Sequence, residues 1–189
     1  PPPRPAPAEP TARRDGPVTA DEVPLAPWGL RLVGMVIDSL VVSVLATVAL
    51  QLSVANLSER LQTEVLGFWS QVVQGSTQVE PSAEMLHLQT LLTIATVSVT
   101  LAYGLLCLLT LSGTLGQRVL GMRVVPVDHG HEKVSPGAAV LRTVAWSLLS
   151  SGYGLFQAVQ IVNGLMPLWH PRRQTLHDLL SRTQVVRRR

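Results

Sequence analysis

Residues 27–55 read PWGLRLVGMVIDSLVVSVLATVALQLSVA, an apolar stretch that holds two formal charges, Arg31 and Asp38. About 20 apolar residues suffice to cross the hydrocarbon of a bilayer, so residues 27–54 are expected as one helical span. Seven residues are close to two turns, which sets the two charges on one face about 10 Å apart along the axis. A charge at that depth costs about 2.5 kcal/mol or more and is retained when it is paired or functional. Arg31 lies near the entry end, where its long side chain reaches toward headgroups. Asp38 lies deeper on a short stem, so it is the residue that most needs a partner.

Composition agrees with a membrane domain. Of the 189 residues, 47% are hydrophobic and 14% are charged, against about a quarter charged in soluble domains. The net charge of +3 does not indicate a nucleic-acid partner. Its basic residues flank apolar blocks with almost no aromatic interleaving, as the positive-inside bias arranges them. The single cysteine, Cys107, excludes an internal disulfide and has no activating neighbour in its apolar run. Lys133 is the one lysine among 15 basic residues, an arginine bias that points to a GC-rich, bacterial genome.

The chain divides in two. Residues 1–26, rich in Pro and Ala, carry no apolar periodicity and are expected as a disordered cytoplasmic tail; residues 27–189 form the membrane domain. After the first span, Leu57, Leu61, Val65, Phe68, Val72 and Val73 recur at helical spacing. This predicts an amphipathic helix on the membrane surface or over the bundle. Arg60 is the only Lys or Arg of residues 56–85, which places that loop outside the cytoplasm. A second span is expected over residues 88–111, where Ala95, Ser98 and Ala102 suit close helix approach.

The connection that follows carries Arg118 and Arg123 and belongs in the cytoplasm. Within it, paired valines at 122–125 ahead of Pro126 predict a short strand. Residues 184–187 repeat that pattern, so the two segments are expected to pair as a ribbon. The third apolar block, 143–169, has the length for one tilted span. The arginine-rich tail HPRRQTLHDLLSRTQVVRRR (residues 170–189) shares the cytoplasmic bias, however, and a block broken at Ser151-Gly152-Tyr153-Gly154 reconciles the two. The expected fold is thus an all-α integral membrane bundle of two full transmembrane helices plus a third block, broken and re-entrant or a single span, with a short cytoplasmic β-ribbon. Both termini lie in the cytoplasm of a multi-pass plasma-membrane protein. Trp28, Trp146 and Trp169 are expected as interface anchors.

Four pieces occur in a telling order: RLVGMVID (31–38), TLGQRVLGMRVV (114–125), LRTV (141–144) and RQTLHDLLSRTQVV (173–186). With them the chain resembles the RDD family of small bacterial membrane proteins, named for one arginine and two aspartates. Gln117 stands where that family usually has lysine, and Ser112-Gly113 replaces its glycine-polar pair, so nothing that depends on the lysine's charge carries over. The resemblance implies a polytopic membrane protein of largely unassigned function. For some members it implies transport of unknown ligands or cation–proton antiport.

The candidate charge network is Arg31, Asp38, Arg142 and Asp178. Arg31 is expected to meet Asp178 at the cytoplasmic end, and Asp38 to be met by Arg142 or by hydroxyls such as Ser147 and Thr114. Such a network is either a proton or cation site, with an arginine tuning Asp38, or a static salt-bridge plug. No internal repeat of the secondary-transporter kind is visible. His177 is a candidate proton relay. Thr114, Gly116 and Gly121 read as turn and packing residues. His129 and His131 lack further ligands nearby, so no metal is expected, and no cofactor motif appears. The expectation is a non-enzymatic protein of the lipid bilayer. It either exchanges an unknown ligand or cation for protons or serves as an accessory or assembly subunit, beside other membrane subunits or in a homo-oligomer.

Overall fold

Two long helices form the spine of the structure, a computed structural model that describes residues 16–76, 78–151 and 155–188. Helix α1 (Trp28–Ser53) has 26 residues and α3 (Ala83–Leu111) has 29, about 39 and 43 Å at 1.5 Å per residue. They run antiparallel: Asp38, early in α1, meets Tyr103, late in α3, while Leu50 and Leu88 pack together at the other end. Both are long and apolar enough to cross a membrane. Leu40, Val44 and Leu52 on α1, and Ile94 and Leu106 on α3, are more exposed than buried. Helices apolar on their outer faces as well as their inner ones have no polar side to offer water.

Between them lies α2 (Leu57–Val73), entered through a left-handed Asn56. Leu57 is buried with Leu50 and Leu88. Leu61, Val65, Val72 and Val73 of the predicted stripe stay exposed, as do Leu66 and Trp69 outside it, so the stripe forms but is largely left uncovered by the bundle. Ser82 caps α3 by accepting from the Met85 amide at 2.9 Å. The helix ends on Ser112 at φ 56°, a left-handed terminator.

The remaining elements build a cap at one end. These are α4 (Leu115–Val119), β1 (Met122–Pro126), α5 (Pro136–Ser151), α6 (Leu155–Leu165), a 3₁₀ turn (Met166–Leu168), α7 (Leu176–Leu180) and β2 (Thr183–Arg187). The expected ribbon forms: β1 and β2 pair antiparallel, with Met122 opposite Arg187 and Val124 opposite Val185. A free two-stranded ribbon is marginal in water. This one is held by helices, since Met122, Val124 and Val185 pack with Ala26, Leu108 and Ala139. The largest fully buried side chains lie in this cap, not between the spine helices.

One expectation is corrected and one is decided. Disorder through residue 26 does not hold from residue 16 onward. The Ala26 amide donates to the Val185 carbonyl at 3.0 Å, and the Arg187 amide donates to that of Pro24 at 2.8 Å. Leu25 bridges Val186, and Val23, Leu25 and Ala26 are buried. The segment thus covers the outer edge of β2, satisfying backbone groups that a ribbon leaves open; residues 1–15 lie outside the described residues. Of the two arrangements expected for the third block, the broken one forms, since it is not one straight helix. Helix α5 starts ahead of it, at Pro136, and carries Arg142; α5 and α6 have 16 and 11 residues, each short of a crossing. The Gln160 amide donates to Ser150 Oγ at 3.2 Å, and His177 touches both Trp146 and Asn163, which a straight helix would hold about 25 Å apart. The chain therefore folds back between α5 and α6. The break expected at Gly152-Tyr153-Gly154 itself lies outside the described residues.

Candidate functional site

The sequence T-L-H-D at 175–178 makes the first turn of α7 a capping box. The Thr175 amide donates to Asp178 Oδ2 at 3.1 Å, and the Asp178 amide donates to Thr175 Oγ1 at 3.3 Å. This sets the Asp178 carboxylate, fully buried, between two helices that each supply an arginine. Arg31 of α1 donates through Nη1 to Oδ2 at 3.0 Å, and its other nitrogens hold the carbonyls of Ala26 and Val185 at 3.3 and 3.1 Å. Arg142 of α5 pairs with Oδ1, and its Nη1 also donates to Thr183 Oγ1 at 2.7 Å. One carboxylate thus ties α1, α5, α7 and β2 together. Burial alone would raise its pKa, but the charges of Arg142 and Arg31 outweigh this and hold it well below the usual carboxylate range.

His177 lies beside this cluster, against the edge of Trp146 with ring centroids 5.1 Å apart. It is within 3.1 Å of Thr175 Oγ1 and 3.4 Å of Asn163 Nδ2. Burial first, then the Arg142 charge, push its imidazole down to about 3. It is therefore held in its neutral form across the physiological range. Trp146 is half-buried against His177, and the Trp28 indole donates to the Gly164 carbonyl at 2.9 Å, closing the end of α6.

Asp38 forms a second cluster, not an extension of the first. Tyr103 Oη donates to Oδ1 at 2.5 Å, Thr114 Oγ1 to Oδ2 at 2.5 Å, and the Gly116 amide to Oδ1 at 2.8 Å. Tyr103 Oη in turn accepts from the Leu115 amide at 2.9 Å. The carboxylate therefore caps α4 from another helix, satisfying donors that a helix start leaves open. Thr114 is met as expected. Arg142 and Ser147 are not partners of Asp38: Arg142 faces Asp178, and Ser147 Oγ is buried without a hydrogen-bond partner. No cationic side chain pairs with Asp38 among the described residues.

The glycines make this geometry reachable. A Cβ on Gly116 would stand 2.2 Å from the Gly34 carbonyl oxygen, so α4 touches α1 only because residue 116 is glycine. Gly121, at φ 68°, turns the chain from α4 into β1. Tyr103, Thr183 and Asn163 were missed by sequence reasoning. A hydroxyl in the apolar run of α3 was the one visible signal for Tyr103. His129 is exposed and paired with Glu132 at 3.2 Å, and no group of three or more metal-ligating side chains occurs among the described residues.

Arg31, Asp38 and Asp178 thus organise the molecule. A family model described as the RDD family matches residues 25–182. The chain belongs to the RDD family. A relative in Bacillus subtilis (strain 168), described as "Uncharacterized protein YxaI", is 32% identical over 99 residues, which cover 52% of this chain and 58% of that protein. No solved structure matches. As an RDD-family, membrane-type domain, the chain places Arg31 and Asp178 in one ion pair and Asp38 in a cage of neutral donors at the start of α4.

Proposed function

We propose that this protein is a non-enzymatic, multi-pass protein of a bacterial plasma membrane in which Arg31, Asp178 and Arg142 form a static lock, and that it serves as an accessory or assembly subunit of a larger membrane complex. Helices α1 and α3 cross the bilayer, α5 and α6 enter and return on the cytoplasmic side, and the ribbon cap faces the cytoplasm. The observation that carries this reading is Asp178: fully buried, with both oxygens held by arginines of different helices. A carboxylate so enclosed is suited to holding elements together. A carrier site needs an approach for its ion.

Asp38 favours a second reading. A carboxylate within a span, held by neutral donors alone, is a position where a proton or cation can bind, as exchange of cations for protons requires. Purified protein in liposomes decides between the two. Under the lock reading it moves neither sodium nor potassium against an imposed proton gradient, and mild-detergent extraction recovers a larger complex. Flux by the isolated protein that Asp38→Asn abolishes, with the fold intact, overturns the lock reading.

A further inference from the structure

At the end of α1 and α3 farthest from the cap, the two helices and the start of α2 line an open cleft of about 570 Å³, within the roughly 300–1,000 Å³ range of small-molecule sites. We propose that this cleft binds one phospholipid, with an acyl chain between the helices and its phosphate on Arg60. The proposal rests on the membrane placement of α1 and α3 and is independent of the charge lock. Val54, on its wall, lies about 24 Å along α1 from Asp38.

The shape and chemistry of the cleft point to this ligand. Along α3 it runs from His87 to Val99, about 18 Å, so it is elongated. Leu50 and Val54 of α1 and Leu91 and Ala95 of α3 give it apolar walls. The polar side chains Arg60 and His87 stand at one end, so the cleft matches a molecule with an anionic or dipolar head and an apolar tail. Arg60 is held in place there: its Nε donates to Glu84 Oε1 at 2.9 Å, and Nη2 contacts the same oxygen. A guanidinium has five N–H donors, so Nη1 remains to grip a phosphate oxygen in the geometry for which arginine is suited. The Glu84 pairing orders the side chain before the ligand arrives, which lowers the cost of binding.

The test uses the full chain purified in detergent and native mass spectrometry with phosphatidylglycerol, phosphatidylethanolamine and diacylglycerol of the same acyl chains. The expected result is one retained phospholipid per chain, for both headgroups, about ten-fold in excess over diacylglycerol, as one charge-assisted hydrogen bond provides. Arg60→Gln should bring phospholipid retention down to the diacylglycerol level, and Ser98→Trp, which fills the cleft from an exposed wall position, should abolish all three. Equal retention of diacylglycerol by the wild-type chain overturns the proposal, as does phospholipid retention indifferent to both substitutions. Displacement by glycerol 3-phosphate alone overturns the acyl-chain contact. The wild-type comparison decides even if a variant misfolds. Recovery of the chain in carbonate-washed membranes tests the membrane placement separately.

Discussion

Asp178 accepts from two arginines and a backbone amide, so its replacement strands charges that have no water to turn to. Breaking one side of a buried pair costs about 3–5 kcal/mol. Asp178→Asn and Arg31→Ala should each reduce membrane accumulation sharply, read by immunoblot of washed membranes; normal accumulation of both would refute the lock. The neighbouring imidazole makes a pH prediction. In the unfolded chain His177 takes up a proton near pH 6.5, whereas in the folded protein it does so only near 3. The unfolded state therefore binds the extra proton in between, and stability falls as pH drops below about 6.5, by up to about 1.4 kcal/mol per unit. Asp178, with its pKa lowered, adds a loss only under more acid conditions, below about pH 4. Melting in detergent from pH 8 to 5 should show a decline for the wild-type protein that His177→Gln flattens. An unchanged slope in that variant would assign the decline elsewhere.

At the scale of elements, close approach is the organising device. Helix α4 rests on α1 where Gly116 meets the Gly34 backbone, and a methyl group there meets a carbonyl oxygen that cannot move aside. Gly116→Ala should therefore separate α4 from Asp38, at a cost at the upper end of the roughly 1–3 kcal/mol of overpacking. Helix α3 meets α5 at Gly104, where an added Cβ would lie 2.8 Å from Thr143 Cγ2. Here the obstacle is a side chain, so Thr143→Ala should rescue Gly104→Ala. A double-mutant cycle on melting temperature reads the coupling, and additive losses would show that the helices do not meet there.

The whole molecule has its apolar surface outside and its tightest packing in the cap, an arrangement that suits α1 and α3 to hydrocarbon and the ribbon to water. In sealed, right-side-out vesicles, protease should spare tags at both termini and cleave one inserted near Gly75, in the loop after α2. Cleavage of a tag beside Arg188 from outside would overturn the cytoplasmic placement of the cap and require a third crossing.

Sequence alone determined the helical spine, the amphipathic α2 and the pairing of two valine-rich strands, because hydrophobic periodicity and run length are local properties that survive any tertiary arrangement. It also identified Arg31 and Asp178 as partners, since a charge beside an apolar run has few places to go. Only the tertiary structure decided that Arg142 serves Asp178 and leaves Asp38 to Tyr103, Thr114 and a backbone amide. That choice depends on α5 beginning at Pro136 and on Gly116 letting α4 reach α1, contacts between residues far apart in the chain. The same holds for residues 16–26. Their composition reads as unstructured, yet an open strand edge beside Val186 supplies hydrogen bonds and an apolar surface that no local pattern announces.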